Sequence, residues 1–373
     1  MDAIHLVVFF LGAVLVGWSC LSAIRAFMIP GAQHHLMGRL VFRGAQALFL
    51  AIGRMLPAGE RGPFYSLYGP IGLLGVYALA MVLIGIGFGA MFWAVARHAF
   101  SMDGLASALI DSGSALSTLG FTTLTDVPRS LLSVLEALAA TTVSALLIGY
   151  LPVIFSAYLA TEQTVADLEA ETGGARCGVE VLIAIERSRN GDDLWKSWTR
   201  WFSRVGKHHG SLVGNMFMRA PETHTSWVAA AGSVLDAAAL RQAAVAGPAD
   251  PAAAYCLATG SAAAERATHF LGFDSGARAA GAAAPGPRTD RAGFDAACDL
   301  LAAAGVPLRA DREAAWTEFA ALRDAYIRQM VTLAGIKATP LSALDCGRAV
   351  TPDPVAVPVR RGRPLANPAG FAG

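Results

Sequence analysis

The chain has 373 residues, of which 54% are hydrophobic and only 15% charged, and its mean hydropathy is +0.48. That is too apolar for an ordinary soluble domain, and a net charge of +1 gives no electrostatic basis for nucleic acid as a partner. The cysteines, Cys20, Cys177, Cys256, Cys298 and Cys346, include no C-x-x-C pair. Zinc ribbons and a disulfide framework are therefore poorly supported, and a reducing cytosol suits the last four.

The long apolar runs lie in the first 160 residues, whereas the remainder is Ala-rich and carries most of the charge. A membrane half and a soluble half are implied. Leu6 to Ile24 holds no charged residue and is long enough to cross about 30 Å of hydrocarbon. A signal peptide would put basic residues ahead of the run. Here the first basic residue, Arg25, follows it, and Trp18 spoils a lipobox reading of Ser19–Cys20. Residues 1–30 are thus read as a retained transmembrane helix.

In residues 31–66 the apolar stretch Leu40–Gly53 is broken by Arg43 and too short to span. His35, Arg39, Arg43 and Gln46 recur at helical spacing, which predicts an amphipathic helix, either in the headgroup region or packed on protein as a cytosolic connector. Pro70 to Ala96 is the second predicted span, and Leu131 to Tyr158, broken only by Glu136, is the third. Arg25, Arg39, Arg43, Arg54 and Arg61 cluster in or beside the segment between the first two spans. The positive-inside rule places that segment in the cytoplasm. The amino terminus and the 97–130 connection are then outside, and everything after about residue 160 is inside.

From residue 162 onward the pattern is that of a soluble helical protein. Glu162 to Glu171 continues the third span as a polar helix, ended by Gly173–Gly174. Val179 to Arg187, Leu194 to Val205, Ser226 to Ala246, Pro251 to Phe270, Arg291 to Ala304 and Glu313 to Ala334 show helical periodicity. The expected organisation is a helical domain over 162–272, a linker over 273–290, a helical part over 291–340 and a disordered tail over 341–373, rich in proline and carrying Arg360–Arg361–Gly362–Arg363.

Between the second and third spans, Ala106 to Thr122 ends in Thr118–Leu119–Gly120–Phe121–Thr122. This T-L-G-F-T segment, flanked by two spans, resembles the pore domain of the potassium-channel superfamily over roughly residues 70 to 160. The resemblance implies an all-α membrane protein with a pore-loop domain over 67–161: outer helix, pore helix (Gly104 to Ser117), selectivity filter and inner helix. A filter replaces the ion's water shell by backbone carbonyls. Thr118, Leu119, Gly120, Phe121 and Thr122 would bind the permeating ion, with Phe121 packed behind them. One filter per chain implies a homotetramer in the lipid bilayer of the cell membrane, with K+ as permeating ion and no other cofactor.

The pattern departs from the family at Thr122, which stands where a second glycine usually follows the aromatic. A left-handed backbone there would cost a β-branched residue on the order of 1 kcal/mol. A poorly selective cation channel is therefore the first alternative, and a non-conducting scaffold with a partner-binding helical domain is the second. Asp111, inside the expected pore helix, either draws cations or pairs with Arg129. Glu136, costly in a span unless it faces protein or water, is expected to support the filter by hydrogen bonding. Gly149 and Pro152 form the expected gate or hinge, since Pro152 removes a helical hydrogen bond.

Enzyme signatures are weak. His208–His209, His224 and His269 lack metal-ligand spacing, no phosphate loop or nucleotide-binding fingerprint follows a strand, and no G-x-S-x-G elbow surrounds Ser112 or Ser114. A non-enzymatic protein is expected, with an unidentified ligand or protein on the cytosolic domain left open.

Overall fold

The computed structural model describes residues 3–28, 36–57, 64, 67–96, 102–175, 177–188, 191–208, 226–270, 290–337, 339–342, 344 and 346–347. These residues form helices and contain no β-strand. Among the described residues an isolated antiparallel bridge pairs Val245 with Leu308. In chain order the helices are α1 (Ala3–Met28), α2 (Leu36–Met55), α3 (Tyr68–Ala96), α4 (Met102–Leu116), α5 (Val127–Thr172), α6 (Gly178–Arg187), α7 (Gly191–His208), α8 (Trp227–Ala243), α9 (Pro251–Phe270), α10 (Arg291–Ala303), α11 (Arg312–Asp324) and α12 (Ile327–Lys337). The chain divides into two compact units, one built mainly from residues 1–56 and 67–156, the other mainly from 157–212 and 216–373.

In the first unit α1, α3 and α5 are long and apolar enough to cross a membrane. The protein is therefore an all-α, multi-pass membrane protein. Its spanning helices pack through small residues, as expected where lipid leaves no hydrophobic drive between helices. On α1 and α3, Gly12 and Gly87 face each other so closely that a Cβ on Gly12 would stand 2.5 Å from the Gly87 carbonyl oxygen. His5 stacks on Trp93 at 5.1 Å between ring centres. The amphipathic α2 lies against α3, with Met37, Phe42 and Phe49 buried and the Tyr68 hydroxyl donating to the Phe42 carbonyl at 2.8 Å. Its opposite side leaves Leu40, Leu48 and Met55 exposed. The side chains of Arg39, Arg43 and Gln46, and all of His35, lie outside the described residues.

The second unit buries aromatic side chains from α7 (Trp195, Trp198, Trp201, Phe202) against the Ala-rich α8 and α9. Ala at these positions lets helices approach closely. On α9 even Gly260 sits so near α8 that a Cβ would meet Leu235 Cδ2 at 2.6 Å. Inside this unit the Asp236 carboxylate of α8 accepts from Arg323 Nε at 2.9 Å, from Arg323 Nη2 at 3.3 Å and from the Tyr326 hydroxyl at 2.6 Å. Burial works against a charged Arg323, but Asp236 outweighs it and raises the guanidinium pKa. Burial, with Asp236 adding to it, holds the Tyr326 hydroxyl well above its ordinary range.

Several sequence expectations are corrected here. The expected helix Glu313 to Ala334 is two helices, broken at Ala325 and Tyr326. The break turns the fully buried Tyr326 onto Asp236, a long-range bond that periodicity does not contain. Residues 162–272 and 291–340 fall largely in the same compact unit. The tail boundary at 341 is too early, because Leu341 and Leu344 are buried. Cys346, in the same segment, is disulfide-bonded to Cys177 across a sequence separation of 169 residues. The absence of C-x-x-C spacing excludes local zinc motifs but says nothing about such a distant pair. The expected linker, apart from Asp290, and the chain beyond Gly347 lie outside the described residues.

Candidate re-entrant site

The site starts with α4, which lies close against α3 because Gly85 and Gly89 offer no side chains there. A Cβ on Gly89 would stand 2.7 Å from Leu109 Cδ2. Helix α4 begins two residues before the expected Gly104 and ends at Leu116. Its last turn carries no basic side chain, so the partial negative charge of its carboxyl end is not neutralised from within the helix.

After Leu116 the backbone turns sharply. The Ser117 amide donates to the Gly113 carbonyl at 3.1 Å, the Thr118 amide to Ala115 at 3.0 Å, and the Gly120 amide back to Ser114 at 3.3 Å. Gly120 has φ of 64° and Thr118 has φ of 56°. A left-handed backbone suits glycine, whereas at a β-branched residue it costs about 1–2 kcal/mol. The sequence expectation put this strain on Thr122. It falls on Thr118, and Thr122 has no positive φ. Thr122 is instead tied down through its amide, which donates to Ser114 Oγ at 3.2 Å.

Among the described residues, the carbonyls of Thr118, Leu119, Gly120, Phe121 and Thr122 accept no hydrogen bond. The amides of Thr118, Gly120 and Thr122 and the Thr118 hydroxyl shape the turn. The Thr118 hydroxyl donates to the Ser117 carbonyl at 2.7 Å. Leu119 and Phe121 are 74% and 61% exposed.

On α5, Glu136 is fully buried. Its Oε1 accepts from Ser112 Oγ of α4 at 2.5 Å, and the same hydroxyl lies 2.9 Å from the Gly85 carbonyl of α3. Ser112 thus joins three helices at one oxygen. Glu136 Oε2 has no partner among the described residues. Asp111 is buried and forms an ion pair with Arg129, which also reaches Asp126 at 3.6 Å. Of the two roles open to Asp111, pairing with Arg129 is the one the geometry contains. Asp111 with Arg129 and Glu136 with Ser112 thus tie α4 directly to α5 on either side of the 117–126 connection in sequence. Gly149 and Pro152 lie elsewhere, deep in α5, where the helix runs on without interruption. Tyr77 and Ser144 share a hydrogen bond at 2.9 Å between α3 and α5.

Sequence reasoning passed over Ser112 and Ser114, which were weighed only as nucleophiles. Their signal was available as two hydroxyls two residues apart in the last turns of a short helix that must hold an irregular loop. No family model matches this chain, and neither does any curated protein or solved structure.

Proposed function

We propose that the chain is a subunit of a homotetrameric, potassium-channel-like pore that passes monovalent cations passively across the cell membrane. The observation that carries this reading is the run of five consecutive carbonyls, Thr118 to Thr122, that accept no hydrogen bond among the described residues, following the carboxyl end of α4. Backbone of this kind at membrane depth is tolerated only where it is buried in protein or lines water. Carbonyls free to replace an ion's water shell give it a use. The strain at Thr118 fits a segment held in shape by its surroundings. Four copies about one axis would bring four such runs together and cover Leu119 and Phe121.

A poorly selective cation channel is favoured as second reading by Thr122. Its amide is committed to Ser114 and its φ is not left-handed, so the upper carbonyls need not repeat the geometry that a second glycine allows. Flux from purified protein in liposomes, comparing potassium with sodium, separates the two readings. Gly120→Val should abolish flux, because φ of 64° disfavours a β-branched side chain, while assembly is retained. Unchanged flux in that variant removes the filter assignment, and no flux in the wild type leaves the scaffold.

The proposed orientation puts the amino terminus and the re-entrant segment outside and the second unit in the cytoplasm, on the strength of the arginines after α1. An impermeant thiol reagent applied from outside should label Ser130→Cys and spare Ser188→Cys. The reverse pattern would overturn the orientation and the channel reading together.

A further inference from the structure

The Cys177–Cys346 disulfide joins the amino end of α6 to the segment that follows α12, with Cα atoms 5.3 Å apart. That segment lies on the helical unit in a defined way. The Thr339 amide donates to the Ala334 carbonyl at 3.0 Å, and Leu341 and Leu344 are buried. Leu341 packs over Gly232 of α8, 3.5 Å from where a Cβ would stand. With Ser342 it lines a small cavity shared with Asp236, Arg323 and Tyr326. The disulfide therefore clips a short chain segment over a buried ion pair.

The two sulfurs differ. Cys177 is 1% exposed and caps α6, its Sγ accepting from the Glu180 amide at 3.4 Å. Cys346 is only partly buried. The Glu180 carboxylate lies within 4.8 Å of both sulfurs and opposes a thiolate on either. The helix amino end, by contrast, favours a thiolate on Cys177 alone. Access therefore directs attack to Cys346, and electrostatics make Cys177 the better leaving group.

We propose that Cys177–Cys346 is a thiol–disulfide exchange site at which a dithiol reductant opens the clip on residues 339–347. This inference stands on the helical unit and does not depend on the pore. A thiolate of the reductant forms a bond to Cys346 Sγ, the Sγ–Sγ bond breaks, and its electron pair leaves on Cys177 Sγ, which takes up a proton. The reductant's second thiol then attacks the mixed disulfide and frees Cys346. In sum, a dithiol and this disulfide become a disulfide and two thiols, with two electrons and two protons passing from the reductant to the protein. Opening frees Leu341 from α8, releases the buried Leu344 and uncovers the cavity beside Asp236.

The test uses the full-length protein in detergent, purified without reductant and alkylated before and after treatment with dithiothreitol. Cys177 and Cys346 should be blocked before and both alkylated after. Hydrogen exchange over 339–347 should speed up on reduction while α8 keeps its protection. With oxidised glutathione, Cys177→Ser should take up glutathione at Cys346 faster than Cys346→Ser takes it up at Cys177. The proposal is overturned by free thiols at both positions before reduction, by exchange over 339–347 that ignores reduction, or by equal glutathione uptake in the two variants. Zinc held by the two thiols in place of the disulfide would overturn it as well.

Discussion

The two units each bury a carboxylate, and they treat it in opposite ways. Asp236 has both oxygens engaged, by Arg323 twice and by the Tyr326 hydroxyl. Glu136 has one oxygen held by Ser112 and the other without a partner among the described residues. A fully satisfied buried network rigidifies the packing around it, whereas a half-satisfied one is held in place at a cost. The helical unit spends its buried charge on fixing how α8, α11 and α12 meet. The membrane unit pairs one buried carboxylate, Asp111, with Arg129 and uses the other, Glu136, to hold α4 against α5, next to a loop whose carbonyls accept no hydrogen bond among the described residues. The contrast separates a buried carboxylate with both oxygens bonded from one that keeps an oxygen without a partner among the described residues.

The largest expected effect lies in the helical unit. Arg323→Met should strand Asp236 as an uncompensated buried charge and cost roughly 3–5 kcal/mol. Denaturant unfolding followed through the buried tryptophans of α7 measures it. The double variant Asp236→Leu with Arg323→Met should recover most of that loss, since hydrophobic replacement of a whole buried pair is often neutral. A double variant as unstable as the single one would show that the ion pair is irreplaceable for folding.

The Glu136 variants are expected to have a smaller effect on stability and a larger one on flux. Glu136→Gln keeps an acceptor for Ser112 and should retain flux. Glu136→Leu breaks the bond to a buried hydroxyl, costs roughly 1–3 kcal/mol, and should lose flux. If the charge itself attracted ions, Gln and Leu would be equally damaging, and the deficit would shrink at high salt as screening grows. Conductance of both variants at low and high salt decides.

Tyr326→Phe should have the smallest effect, about 0.5–1.5 kcal/mol for one lost hydrogen bond, with a pH signature. The folded-state pKa of Tyr326 lies well above its ordinary value of 10.0. Its contribution is therefore fully present below pH 10 and lost as pH rises towards the folded-state value, because only the unfolded chain then releases the proton. Unfolding free energy measured on both sides of pH 10 should fall more steeply in the wild type than in Tyr326→Phe. Parallel slopes would remove Tyr326 from the alkaline response.

What the sequence determined by itself follows from local patterns. Apolar runs, charge-free in the first two and broken only by Glu136 in the third, set the three long helices of the membrane unit, and helical periodicity set most helices of the other unit to within a few residues. Thr118–Leu119–Gly120–Phe121–Thr122 marked the place where helix gives way to irregular backbone. The unsuspected features all join residues far apart in the chain. The partner of Cys177 lies 169 residues away, and those of Asp236 lie 87 and 90 residues away. Ser112 meets Gly85 and Glu136 only once three helices have packed. Propensity and hydropathy act over one or two helical turns, so they decide where helices form. Which side chains then face one another depends on crossing geometry, and that let the tertiary structure move the strain from Thr122 to Thr118 and assign Asp111 to Arg129.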